Sequence, residues 1–137
     1  MTLSNVPLPD SNDPGSKNGR GMRVLLAEDD RAVRRLLQVV LERAGYEVIP
    51  AADGLEAMKL ALSSPINILI TDAMMPNLNG HELCRFMRNS ETLSHVPMIL
   101  LSGLEKKVSD GQADAFLTKP VSGEILLECV EKLLAGK

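Results

Sequence analysis

Ile66-Asn67-Ile68-Leu69-Ile70-Thr71-Asp72 is an almost unbroken apolar run that stops on a carboxylate. A strand solvated on one face alternates apolar and polar residues, whereas a strand covered on both faces reads as one continuous apolar stretch. The run therefore predicts an interior strand of a parallel sheet, over Ile66–Ile70. Working outward, the same pattern recurs. Val24-Leu25-Leu26-Ala27 leads into Glu28-Asp29-Asp30, Met98-Ile99-Leu100-Leu101 into Ser102, and Ala115-Phe116-Leu117 into Thr118-Lys119. Tyr46-Glu47-Val48-Ile49 completes five strands. Polar groups left at the ends of neighbouring parallel strands gather in one crevice. Carboxylates, a hydroxyl and an ammonium collected there suit a divalent cation and a phosphoryl group.

Helices fill the intervals. Asp30 is placed to cap a helix in which Ala32, Val33, Leu36, Leu37, Val40 and Leu41 recur at helical spacing. Arg31, Arg34 and Arg35 are expected in water, and Gly45 ends the helix. Asp53 followed by Glu56 predicts a capping box and a helix to about Ala61, burying Leu55, Met58 and Leu62. Gly80 to about Asn89 forms a third helix with Leu83, Phe86 and Met87 inward. Ser122 caps the last one, which turns Ile125, Leu126, Val130, Leu133 and Leu134 to the core and ends at Gly136. Strands alternating with helices require crossover connections, hence parallel pairing. Between Leu101 and Ala115, Glu105–Gln112 offers almost no apolar stripe, so a short or irregular fourth helix is expected there.

Bulk properties narrow the function classes. At 137 residues and 45% hydrophobic content, the chain is long enough for one domain with a real core. A net charge of −3 gives no electrostatic case for nucleic acid or an anionic membrane. No apolar stretch spans a bilayer, and the N-terminus has no apolar signal core. Cys84 and Cys129 sit in apolar helical surroundings and read as reduced core thiols, so the expected compartment is the cytoplasm. Residues 1–21, with three prolines and three glycines and no periodicity, are expected to be a disordered tail ahead of a domain at 22–137. Met22, at the mouth of the first strand, is a second candidate start. His81 and His95 lack partners at metal-ligand spacing and are expected in solvent.

Four strand-end segments in order resemble the receiver domain of two-component response regulators. They are Leu25–Asp30, Ile70-Thr71-Asp72-Ala73-Met74-Met75-Pro76-Asn77-Leu78-Asn79-Gly80, Ile99–Gly103 and Phe116-Leu117-Thr118-Lys119-Pro120. The resemblance covers residues 22–135. It implies a flavodoxin-like, doubly wound, five-stranded parallel sheet in order 2-1-3-4-5, which sets Asp29 beside Asp72. It also implies that Asp72 is the phosphoacceptor, and that Mg²⁺ is held by Asp29, Asp72, the Met74 backbone carbonyl and, through water, Glu28. Charge supports a cation independently. Carboxylates a few ångströms apart repel by roughly 4 kcal/mol per pair at an effective dielectric near 20. Lys119 and Ser102 would contact the phosphoryl oxygens, and the Lys119–Pro120 bond would be cis. Ser102 and Phe116 correspond to the family's switch pair, the aromatic ring turning inward as the hydroxyl moves.

Two departures stand out. The interval from Ser102 to Lys119 is shorter than the family usually has, so the output face is expected to differ. Met74 and Leu104 fall where side chains control water attack on the phosphoryl group, and apolar ones predict slow phosphate loss. The resemblance implies a stand-alone regulator in a phosphorelay, modified by a sensor histidine kinase or phosphotransfer protein. Its output would pass through a downstream protein target, with no direct DNA binding, no membrane contact and no enzymatic activity beyond its own phosphoryl transfer and slow autodephosphorylation. The alternative is a phosphorylation-independent receiver-like adaptor. A phosphohydrolase with an aspartyl nucleophile is disfavoured, because the position two residues after Asp72 is Met74, not an acid. A flavin protein is disfavoured because three acids after the first strand would repel its phosphate.

Overall fold

A computed structural model describes residues 21–103 and 112–136. Its five strands are β1 (Arg23–Ala27), β2 (Glu47–Ala51), β3 (Ile68–Asp72), β4 (Met98–Ser102) and β5 (Ala115–Thr118). All pair in parallel, in the order β2-β1-β3-β4-β5 that the resemblance implies. Of the three interior strands, β3 and β4 are buried at every position and β1 at every position but Arg23, as their largely apolar sequences require.

Four helices are described: α1 (Arg31–Arg43), α2 (Gly54–Ser63), α3 (Gly80–Arg88) and α4 (Gly123–Ala135). They divide between the two faces of the sheet, which makes the fold doubly wound. Alternate residues of one strand serve opposite cores. Leu25, Leu69 and Leu100 pack with Ala57 and Ala61 of α2 and with Leu83 and Met87 of α3. Leu26, Ile70 and Ile99 pack with Leu37 and Leu41 of α1 and with Leu126 and Val130 of α4. Burying a Leu or Ile side chain fully is worth about 1.5–3 kcal/mol, so these two layers supply most of the driving force.

The caps form largely as the sequence directs. Asp30 accepts from the Val33 N–H at 3.1 Å and Ser122 from the Ile125 N–H at 3.1 Å. Asp53 accepts from Glu56 N–H at 2.8 Å, but the Glu56 carboxylate takes the Ala52 N–H (2.7 Å) instead of closing a box on Asp53. A reciprocal box forms instead at α3, between Asn79 and Glu82.

Several expectations are corrected. β2 and β3 each run later than expected, Glu47–Ala51 against Tyr46–Ile49 and Ile68–Asp72 against Ile66–Ile70, because register with β1 decides their ends. Leu36, Leu55, Leu62 and Ile125, expected in the core, are exposed. Each adjoins a residue that does face inward, namely Leu37, Gly54, Ala61 and Leu126. One step along a helix rotates a side chain by about 100°, which carries these four out of the inward stripe. Ala32 is exposed for a related reason, one position outside the row through Val33 and Leu37. Arg34, expected in water, is half-buried and donates to the Glu28 carbonyl. Cys84 is buried and Cys129 half-buried, and neither forms a disulfide. His95 is exposed, whereas His81 is half-buried and not fully solvated as expected. The expected tail falls almost wholly on residues 1–20, and the expected short helix on 104–111, outside the described residues.

Two glycines set how closely the loops approach the sheet. A Cβ on Gly54 would meet the Leu78 backbone carbonyl. One on Gly80 would meet the Asp72 carbonyl oxygen, Leu100 Cδ1 at 2.9 Å and Ala73 Cα at 3.0 Å. None of those backbone atoms can move without shifting the end of β3. Gly80→Ala is therefore expected to lower stability by about 2 kcal/mol, seen as a reduced urea midpoint with an unchanged slope. An unaltered midpoint would show that the β3–α3 turn relaxes freely.

Candidate functional site

Register brings the polar strand ends together. Ala27 of β1 pairs with Thr71 of β3, so Glu28 stands level with Asp72. Asp72 pairs with Leu101 of β4, and Ser102 with Thr118 of β5, one residue before Lys119. Glu28 is fully buried and Asp72 is 5% exposed, while Asp29 lies at the solvent rim. One carboxylate oxygen from each of these three falls within 4.8 Å of the others. Lys119 closes the cluster, with Nζ 3.1 Å from Asp72 Oδ2 and 3.4 Å from Glu28 Oε1.

Glu28 is held at both ends. Its N–H donates to Ala51 O at 3.1 Å, and its carbonyl accepts from Arg34 Nη1 at 2.8 Å. Its carboxylate accepts from the Asp30 N–H at 3.1 Å. Burial pushes its pKa up to about 7, with the charge of Asp72 adding to the rise and the Asp30 N–H and Lys119 opposing it. Burial acts the other way on the Lys119 ammonium, but its hydrogen bond to Asp72 and the charges of Glu28 and Asp72 outweigh that and raise its pKa. Lys119 is thus a fixed cation.

The turn after β3 is pinned at several points. Ala73 N–H donates to Leu101 O (2.8 Å), and Gly80 N–H donates to Ala73 O (2.9 Å). Asn77, at φ 72°, reaches Asp53 Oδ2 with its amide at 3.0 Å. The Glu56 N–H first, and this amide with it, hold the Asp53 carboxyl below the usual carboxylate range. Met74 projects its side chain into solvent, 63% exposed.

Of the residues singled out in the sequence, Glu28, Asp29, Asp72 and Lys119 converge directly. Ser102 is buried on the adjoining strand end, and its carbonyl accepts the Lys119 N–H at 2.7 Å. The Lys119–Pro120 bond is cis. Phe116 is half-buried on β5 and packs against the core shared with α2 and α3. Leu104 lies outside the described residues. Sequence reasoning missed Arg34 and Asn77. The first carries no signal beyond a charged helix position, while the second could have been suspected from asparagine's tolerance of positive φ in a turn. It also missed Thr71, whose buried hydroxyl donates to the Asp72 carbonyl at 3.0 Å and was legible as a lone polar residue in an apolar strand.

Chemically, three carboxylates facing one ammonium leave an excess of negative charge. Oxygen-only donors that suit a hard divalent cation such as Mg²⁺ are what this set offers. The donors are therefore compatible with that ion, with Glu28 and Asp72 buried and Asp29 open to solvent.

Comparison with known proteins agrees with this geometry. Residues 24–131 match the family model of the response regulator receiver domain. Protein PilG of Pseudomonas aeruginosa is 31% identical over 116 residues, covering 81% of this chain and 86% of PilG. The chemotaxis response regulator CheY4 of Vibrio cholerae superposes with a TM-score of 0.74 at 30% identity, covering 82% of this chain and 98% of that one. The response regulator TrrA of Thermotoga maritima, crystallised in complex with Mg²⁺–BeF, gives a TM-score of 0.74 at 31% identity, again over 82% and 98%.

The charge balance yields a pair of opposite outcomes. The Asp29 side chain has no hydrogen bond or ion pair with any described residue, so in divalent-free buffer Asp29→Asn removes repulsion alone. It is expected to raise stability by about 0.5–1 kcal/mol. Lys119→Met leaves two carboxylates without their shared cation and is expected to lower it. Urea denaturation of both variants checks this, and a fall in both would refute the excess of negative charge.

Proposed function

The chain belongs to the response regulator receiver domain family, and on that footing we propose that it accepts a phosphoryl group on Asp72 and thereby switches its affinity for a protein partner. The observation that carries this reading is the closure of Glu28, Asp29 and Asp72 around a common point, with Lys119 bonded to Asp72 at 3.1 Å. The donor is a phosphohistidine on a sensor histidine kinase or phosphotransfer protein. An Asp72 carboxylate oxygen attacks phosphorus, the P–N bond breaks, the imidazole leaves, and an acyl phosphate remains on Asp72.

Each residue has a defined task. Asp29 and Asp72 would hold Mg²⁺ directly, with Glu28 acting through water and the Met74 carbonyl completing the protein's share. When bound, Mg²⁺ neutralises charge on the phosphoryl oxygens and fixes their orientation. Lys119 bonds another of those oxygens, exchanging one anionic partner for a stronger one. The Ser102 hydroxyl donates to a third. As Ser102 shifts, Phe116 turns from its half-buried position into the core beside β4, a shift between two packings biased by the new dianion. That TrrA, at 31% identity, was crystallised in complex with Mg²⁺–BeF supports a divalent cation in this reading. Among the described residues no helix is long and apolar enough to cross a membrane. The proposed setting is the cytoplasm, with output through protein contact, not DNA.

Two measurements test the reading. Incubation with a small-molecule phosphodonor and Mg²⁺ is expected to add the mass of one phosphoryl group to the wild type, and none to Asp72→Asn or to wild type with a chelator. Equal masses in every arm would sink the phosphoacceptor assignment. In receiver domains the position of Met74 lies beside the phosphoryl group, and an apolar side chain there does not orient a water, so the phosphorylated protein is expected to decay slowly in Mg²⁺. Replacing Met74 with Asn, which can orient a water, is expected to speed decay about tenfold or more. Rapid decay of the wild type, or no change on replacement, would remove Met74 from that role.

A further inference from the structure

The outer face of α1 runs against the chain's overall charge. Arg31, Arg34, Arg35 and Gln38 recur along two turns of that face, and with Pro50 of the edge strand β2 they line a cavity of about 420 Å³. Arg31 and Arg35 are exposed, and neither has a hydrogen bond or ion pair with any described residue. Arg34 is half-buried, with one nitrogen committed to the Glu28 carbonyl at 2.8 Å. Like charges three and four residues apart on a helix repel. Among the described residues, the bond of Arg34 to the Glu28 carbonyl is the one contact of these guanidinium groups that offsets the repulsion.

We propose that this hollow binds a small polyphosphate, a molecule carrying two or more adjacent phosphoryl groups such as a nucleoside di- or triphosphate. Guanidinium groups are planar, permanently charged forks that match phosphoryl oxygens two at a time. Three of them around one hollow place several donors within reach of oxygens only a bond or two apart. Carboxylates spaced along an acidic peptide cannot crowd that closely. The cavity volume falls in the range of small-molecule sites, below what a protein partner would occupy. Gln38 contributes both a donor and an acceptor, and Pro50 an apolar wall, which suit the sugar or base of a nucleotide.

The hollow is wired to the acidic crevice through Glu28. The Glu28 carbonyl accepts from Arg34, and its N–H donates to the carbonyl of Ala51, the neighbour of Pro50. A ligand that draws the Arg34 guanidinium outward loosens one of these two backbone anchors. The site itself stands on its own lining residues and does not depend on Asp72 being a phosphoacceptor.

Isothermal titration of the full chain in divalent-free buffer tests the proposal with ATP, inorganic tripolyphosphate, adenosine and hexaglutamate. Single-site binding of ATP and tripolyphosphate is expected, weakened about tenfold or more in Arg31→Ala/Arg35→Ala and at high salt, with no binding of adenosine. Tighter binding of ATP than of tripolyphosphate assigns the site to a nucleotide, and equal binding assigns it to the phosphate chain alone. Should the alanine pair fail to fold, Arg31→Gln/Arg35→Gln keeps length and hydrogen bonding while removing charge, and the same loss is expected. No binding at millimolar ligand, unchanged binding in the folded variants, or hexaglutamate binding as tightly as tripolyphosphate would each overturn the proposal.

Discussion

One ammonium answers for two buried carboxylates. Lys119 Nζ lies 3.1 Å from Asp72 and 3.4 Å from Glu28, with Glu28 wholly removed from solvent. Taking such charges out of water costs several kcal/mol per ion, and their mutual attraction seldom repays it in full. Glu28 records that cost directly, since burial holds its pKa near 7. The cluster is therefore a liability to stability, tolerated because the sheet beneath it is almost wholly apolar. Val24 to Ala27, Ile68 to Ile70 and Met98 to Leu101 are at most 1% exposed. That burial supplies the free energy that an unfavourable collection of charges draws upon.

The same constraint explains why the surrounding loops are so tightly drawn. The cluster has its shape only if the ends of β1, β3 and β5 stay in register. Gly80 lets α3 press against the Asp72 carbonyl, and Gly54 lets α2 press against that of Leu78. The Asn77–Asp53 bond ties the turn after β3 to the start of α2. The Lys119 N–H on the Ser102 carbonyl fixes where the ammonium can reach. None of these contacts buries much surface. Their effect is geometric, and a shift at any of them moves a charge within a low-dielectric cluster, where distance matters most.

Much of this was legible in the sequence. Continuous apolar runs ending on Asp72 and Ser102 gave interior strands, and polar strand ends gave a shared crevice before any contact was known. The sheet order came from the resemblance, not from periodicity. What failed has a common cause. Leu36, Leu55, Leu62 and Ile125 are apolar and near helical spacing, but inwardness is decided by an angle of rotation that spacing alone does not resolve. On α2 the approach is set by Gly54, Ala57 and Ala61, small residues that carry little hydropathy signal. Arg34 was misplaced because a charged side chain can fold back to a carbonyl six residues away, a contact created by the β1–α1 turn and not by composition.

Arg88 shows how the far side of the sheet is coupled to this arrangement. From the end of α3 its guanidinium donates to the Ser94 and Gln112 carbonyls and pairs with Asp114 at 3.0 Å. Asp114 in turn accepts the Met98 N–H at 2.8 Å and donates its own N–H to the Met98 carbonyl at 2.8 Å. One side chain thus gathers the entries of β4 and β5, the strands whose far ends carry Ser102 and Lys119. Strands are stiff along their length, so a displacement of Ser102 or Phe116 cannot be absorbed at the entries while Arg88 holds them.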